Sequence, residues 1–133
     1  MKVTIDTNVL VAALHTRGLC SDILIACLQK HQVVLSEYIL EEVDRVLVTK
    51  MKTDVKEAKA ITLRLRTDSE IVKPAEIPLN VCRDQTDLPV IGTAVAGGAE
   101  VLITGDEDLL SIKEYRGVRI VSPREMAVII QGK

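Results

Sequence analysis

The chain has 133 residues, with 17 Lys and Arg against 19 Asp and Glu and a formal net charge of −2. Its overall charge therefore gives no pull toward nucleic acid or an anionic membrane, and a polyanionic partner would need a local basic patch or a metal ion. Apolar residues make up 47 %, yet Phe and Trp are absent and only two Tyr occur. The core must then be Val, Ile, Leu and Ala, which suits a parallel sheet buried on both faces. So few aromatics also argue against recognition of single strands by stacking. Cys20, Cys27 and Cys82 are odd in number and lack CxxC spacing, as expected for reduced core thiols of a cytoplasmic protein. The start of the chain does not read as a signal peptide. The longest uncharged run, residues 88–99, is shorter than the roughly 20 residues a bilayer requires. No membrane is expected, and the length suits a single domain over residues 1–133.

The chain opens with Val3 and Ile5, a β-forming run that stops at Asp6. Residues 9–14 read as a short helix and 15–18 as a turn. Ser21 is expected to cap a helix reaching Gln29, with Leu24, Cys27 and Leu28 inward. Residues 33–35 form a short strand. Ser36 caps the next helix, residues 37–50, whose Ile39, Leu40, Val43, Val46 and Leu47 make one apolar stripe. A further helix covers 54–66 with Val55, Ala58, Ile61 and Leu65 inward. Ile71 and Val72 are a candidate strand, and 74–78 a loop. Residues 83–87 form a polar turn in which Asp87 is placed to cap a helix beginning at Leu88-Pro89. Gly97-Gly98 end that helix. Residues 101–104 are a strand, 108–112 a short helix and 118–121 the last strand. Ser122-Pro123-Arg124-Glu125 is a capping box that opens a helix to Ile130. Strands alternating with helices predict an α/β domain with a parallel sheet of four or five strands.

Two strands, 3–5 and 101–104, run into carboxylates, Asp6 and Asp106. A parallel strand that ends in an acid and turns into a helix sets that acid at the carboxyl edge of the sheet, where open α/β sheets bind ligands. Asp87 opens a helix after a loop. On the 37–50 helix, Glu42 and Asp44 lie on opposite edges of the apolar stripe, while Glu41 and Arg45 point away; helical geometry does not choose between Glu42 and Asp44. Each acid taken singly has a bland reading, as a cap or a solvated edge. Gathered in one concavity, such acids repel one another unless protonated or bridged by a cation. Oxygen donors without His or Cys suit Mg2+ or Mn2+, and such an ion activates water and stabilises phosphoryl charge.

Asp6-Thr7-Asn8-Val9-Leu10, Glu42 within LEEVDRVL, Cys82-Arg83-Asp84 with Asp87, and Thr104-Gly105-Asp106 with Asp108-Leu109 resemble the PIN-domain family. The nearest branch is that of VapC-like toxin components of toxin–antitoxin systems. The resemblance runs from Met1 to the terminal helix. It implies a Rossmann-like three-layer sandwich with a central parallel sheet of about five strands. It also implies a Mg2+- or Mn2+-dependent endoribonuclease, an antitoxin partner and a homodimer, the last also suggested by a mean hydropathy of +0.23. Carried over residue by residue, the catalytic and metal-binding acids are Asp6, Glu42, Asp87 and Asp106. It is this resemblance that selects Glu42 over Asp44. Asp84 and Asp108 are supporting or alternate ligands, and Asn8 and Thr104 are placed to orient ligands or water. Leu109 stands where many relatives carry an aromatic, a core substitution.

For an RNA backbone, Lys52, Lys56, Lys59 and Arg66 fall within roughly 80° of one another on a continuous helix, although a solvated face is the plainer reading. Arg17 and Arg83 lie in loops beside the acidic segments. Two rivals stand. A phosphatase that puts an Asp at the end of its first strand needs a second Asp two residues on, where Asn8 stands. A non-catalytic module would hold a metal or partner without cleaving.

Overall fold

The computed structural model describes residues 1–132. Six strands form one sheet: β1 (Lys2–Ile5), β2 (Gln32–Leu35), β3 (Glu70–Ile71), β4 (Val101–Ile103), β5 (Glu114–Tyr115) and β6 (Val118–Val121). Their order is β3-β2-β1-β4-β6-β5. All neighbours are parallel except β5, which pairs antiparallel with β6 at one edge. Seven α-helices flank the sheet: α1 (Thr7–His15), α2 (Leu19–Lys30), α3 (Glu37–Thr49), α4 (Val55–Asp68), α5 (Leu88–Ala96), α6 (Glu107–Leu110) and α7 (Pro123–Gln131). The parallel α/β sandwich expected from the sequence is present. The extra strand β5 was not expected, because a two-residue pairing carries no periodicity. It is the first arm of a hairpin with β6, closed by Arg116 and Gly117, both at positive φ.

Val3-Thr4-Ile5, Val33-Val34-Leu35 and Val101-Leu102-Ile103 are buried without alternation. Such runs occur when both faces of a strand are covered. The five stripe residues of α3 are all buried. The Ser36 hydroxyl accepts from the Ile39 amide at 3.4 Å, and Ser122 and Glu125 form the expected capping box. Leu109 is fully buried. All three cysteines are free. No single helix among the described residues is long and apolar enough to cross a membrane.

Three local expectations fail. Ser21 lies inside the first turn of α2, whose cap position is Gly18; the chain enters that helix through the glycine at φ 153°. Val55 is exposed, because Asp54 caps α4 and Val55 is its first residue, ahead of the buried Ala58, Thr62 and Leu65. Asp87 makes no side-chain capping bond. Asp84 caps instead, accepting from the Thr86 amide at 3.0 Å and the Thr86 hydroxyl at 2.7 Å, and residues 85–87 form a 3-10 turn that runs into α5.

α5 packs on β1, β2 and β4. Gly92 lets it approach the segment after β3: the Ala75 amide donates to the Gly92 carbonyl at 3.0 Å. A Cβ on Gly92 would run into the Ala75 carbonyl oxygen. The order in which strands are added across the sheet reverses between β1 and β4, since β2 and β3 lie on one side of β1 and β4 and β6 on the other. The crevice at their carboxyl ends is where such sheets take ligands.

Candidate active site

A cleft of about 300 Å3 opens at that crevice, and Asp6, Glu42, Asp87 and Asp106 all line it, with Asp84 and Asn8 beside them. The four acids come from the end of β1, the middle of α3, the turn before α5 and the end of β4. Asp6 is the most firmly held. Its Oδ1 accepts from the Thr7 amide at 2.8 Å and its Oδ2 from the Thr104 hydroxyl at 2.8 Å. Thr104 Oγ1 in turn accepts from the Asp106 amide at 3.0 Å. A single buried hydroxyl therefore ties the two strand-end segments together. Asp106 caps α6 through the Asp108 amide at 2.8 Å. Once Asp84 takes over the capping, the carboxylate of Asp87 is left to face the cleft.

The acids strain against one another. Burial raises Asp6 above the ordinary carboxylate range against the lowering effect of its two hydrogen bonds, and the Asp106 and Glu42 charges add to the rise. Asp87 is pushed up to about 7, first by burial, then by hydrogen bonding with Asp106 and by the charges of Asp106, Asp6 and Asp84. Two carboxyls that close share a proton rather than both ionising. The Cys82 thiol lies 3.9 Å from Asp87 Oδ2; its own pKa is raised, chiefly by burial.

Among the described residues, no three His, Cys, Asp or Glu side chains are arranged to hold a metal ion. Glu42 is turned to Arg45, whose Nη2 donates to Glu42 Oε1 at 2.7 Å. The donors themselves fit a hard dication: the acidic lining of the cleft offers oxygen alone, and its mutual repulsion is what a cation relieves.

Asp44 lies elsewhere. It pairs with Lys59 at 2.7 Å, tying α3 to α4. Asp108 is held beside Arg83 at 3.5 Å and does not line the cleft.

Of the basic residues in the candidate RNA-facing stripe, two are held in ion pairs with α3. Lys52 precedes α4 at φ 56°. Lys59 is taken up by Asp44, and Arg66 by Glu37 through two bonds of 2.9 and 2.7 Å. Long cations beside acids of the neighbouring helix become struts between helices. Lys56 and Arg17 are exposed, and neither they nor Lys52, Lys59, Arg66 or Arg83 line the cleft.

Tyr38, Arg45 and Lys50 do line it, and sequence reasoning passed over them. Helical geometry points Arg45 away, but its long stem folds back onto Glu42 three residues earlier. Tyr38 donates its hydroxyl to the Thr86 carbonyl at 2.8 Å, joining α3 to the Asp84–Asp87 turn. The signal was available: once Glu42 is placed inward, residues at −4, +3 and +8 share its face.

Fold and site together define an α/β domain with an acidic cleft at the switch point of a parallel sheet. The family profile described as PIN domain matches residues 2–108, and the chain belongs to the PIN-domain family. It is 33 % identical over 120 residues to the uncharacterized protein MJ1680 of Methanocaldococcus jannaschii, covering 86 % of this chain and 76 % of that protein. Its fold is similar to three solved structures. VapBC2 from Rickettsia felis, bound to a DNA fragment from its promoter, matches with TM-score 0.65 and 14 % identity, covering 92 % of this chain and 98 % of that one. VapBC-1 from nontypeable Haemophilus influenzae matches with TM-score 0.66 and 15 % identity, covering 93 % and 99 %. PAE2754 from Pyrobaculum aerophilum matches with TM-score 0.63 and 17 % identity, covering 100 % and 91 %.

Proposed function

We propose that this PIN domain is a divalent-metal-dependent endoribonuclease and the toxin half of a toxin–antitoxin pair. One observation carries the nuclease reading: four carboxylates from separate parts of the chain line a single cleft at the carboxyl edge of the sheet. Asp6, Glu42, Asp87 and Asp106 would hold Mg2+ or Mn2+. A dication bound there supplies Lewis-acid stabilisation of phosphoryl charge and activation of water. The chain's own groups prepare the site. Thr7 and Thr104 fix both oxygens of Asp6, so one acid is preorganised. The Asp87–Asp106 pair is the group able to hold a proton near neutrality and to give it up as positive charge enters the cleft. Tyr38 keeps the turn that bears Asp87 against α3.

Similarity to the two VapBC structures supports an antitoxin partner. A homodimer is supported by the apolar composition of so small a domain, with a mean hydropathy of +0.23. Light scattering that found only monomer at high concentration would remove it.

The decisive experiment is RNA cleavage with Mn2+, Mg2+ and EDTA, using wild type and Asp6→Asn. Metal-dependent cleavage that disappears in Asp6→Asn is the expected result. A protein that binds RNA or metal yet never cleaves would return the reading to a non-catalytic module.

A further inference from the structure

The cleft is acidic where α3 presents Glu42, but further along the same helix its wall becomes basic. Arg45 and then Lys50, just past the last turn of α3, line the same cavity. An RNA whose scissile phosphate lies among carboxylates carries neighbouring phosphates that those carboxylates repel. A cationic wall next to them answers that repulsion.

We propose that Arg45 and Lys50 form a subsite for a phosphate flanking the scissile one in single-stranded RNA; the proposal rests on the nuclease reading. Arg45 gives Nη2 to Glu42 and keeps further guanidinium donors for a phosphate oxygen. Lys50 is exposed and has no carboxylate partner among the described residues. Four other cations are held in ion pairs, Lys59 by Asp44, Arg66 by Glu37, Arg64 by Asp68 and Arg83 by Asp108, and Lys52 and Lys56, which are in none of these pairs, do not line the cleft. A lysine at a helix end is also favoured by the helix dipole. That accounts for stability but not for a place in the wall of the acidic cleft.

The test measures binding of a labelled single-stranded RNA of mixed sequence to the Asp6→Asn protein, with Mg2+, over a range of salt. Lys50→Gln in that background should lower the slope of log K against log salt by about 0.7, the value for one lost phosphate contact on a single strand. Lys30→Gln is the control, since Lys30 lies in the last turn of α2, is exposed and is outside the cleft. It removes the same charge from a comparable helix end and should leave the slope unchanged. An unchanged slope in Lys50→Gln, or an equal fall in Lys30→Gln, overturns the subsite while leaving cleavage by wild type untouched. Failure of wild type to cleave RNA with either metal overturns the nuclease reading, and the subsite with it.

Discussion

Replacing Asp87 by Asn should stabilise the metal-free protein at alkaline pH and not at acid pH. In the folded chain the carboxyl of Asp87 is pushed from 3.8 to about 7 by burial and by Asp106. Between those values the native state binds more protons than the unfolded state, so the free energy of unfolding falls as pH rises. The loss is complete above pH 7. At 1.36 kcal/mol per pH unit, ionisation of the buried carboxyl costs about 4 kcal/mol. The proton belongs to the Asp87–Asp106 pair, so the variant should recover about 2–4 kcal/mol at about pH 8. Asn has the same size and donates an amide hydrogen to Asp106. Asp87 makes no side-chain capping bond, so the substitution removes charge without removing a helix cap. Urea unfolding in EDTA at about pH 4.5 and about pH 8 measures the difference. An identical gap between variant and wild type at the two pH values, or a loss of stability at the higher one, would refute the account of the carboxyl pair.

Thermal melts should rise with millimolar Mn2+ or Mg2+ over EDTA, by about 2.7 kcal/mol at a hundredfold excess over Kd; coincident melts at metal levels that support cleavage would count against the site. Asp6→Asn and Glu42→Gln should each lower RNA cleavage by roughly 100-fold or more with circular dichroism unchanged. Asp44→Asn should leave cleavage intact and cost less than about 1 kcal/mol, since its partner Lys59 is a solvent-exposed ion-pair donor; a dead Asp44→Asn beside an active Glu42→Gln would reverse their roles. Gly92→Ala should destabilise by about 1–3 kcal/mol, because the new methyl meets the backbone oxygen of Ala75 rather than a side chain that can turn aside. Equilibrium unfolding that showed no loss would mean the segment after β3 moves freely away from α5.

What the sequence reveals most clearly is whatever depends on local pattern. The α3 stripe can be read because burial repeats at fixed spacing, the three-residue buried strands because they are short continuous β-forming runs, and the α7 capping box because Ser122 and Glu125 stand three residues apart. Asp6 and Asp106 could be read because a strand that stops at an acid has only one edge to put it on. Helical geometry leaves Glu42 and Asp44 open, and only the family resemblance chooses between them, because Asp44 faces Lys59 on α4, which no helical wheel of α3 contains. Asp87 looked like a cap because Asp84, three residues earlier, is an equally good one, and only the 3-10 turn between them decides. Lys59 and Arg66 looked like a nucleic-acid stripe because a sequence does not show which acids on the next helix will claim them. Arg45 reads as pointing away because a Cα direction says little about where a long side chain ends.

The hydrogen bond from Thr104 to Asp6 joins residues 98 positions apart. Closing so long a loop is slow and late compared with winding α1 or α3. A chain made from its amino terminus has Asp6 and Glu42 well before β4, Thr104 and Asp106. Until β4 seats beside β1 there is no crevice, one wall is missing and Asp6 lacks the hydroxyl that aims it. The cleft is thus assembled only after β4 has been made and has seated beside β1, well after the residues that supply its first two acids.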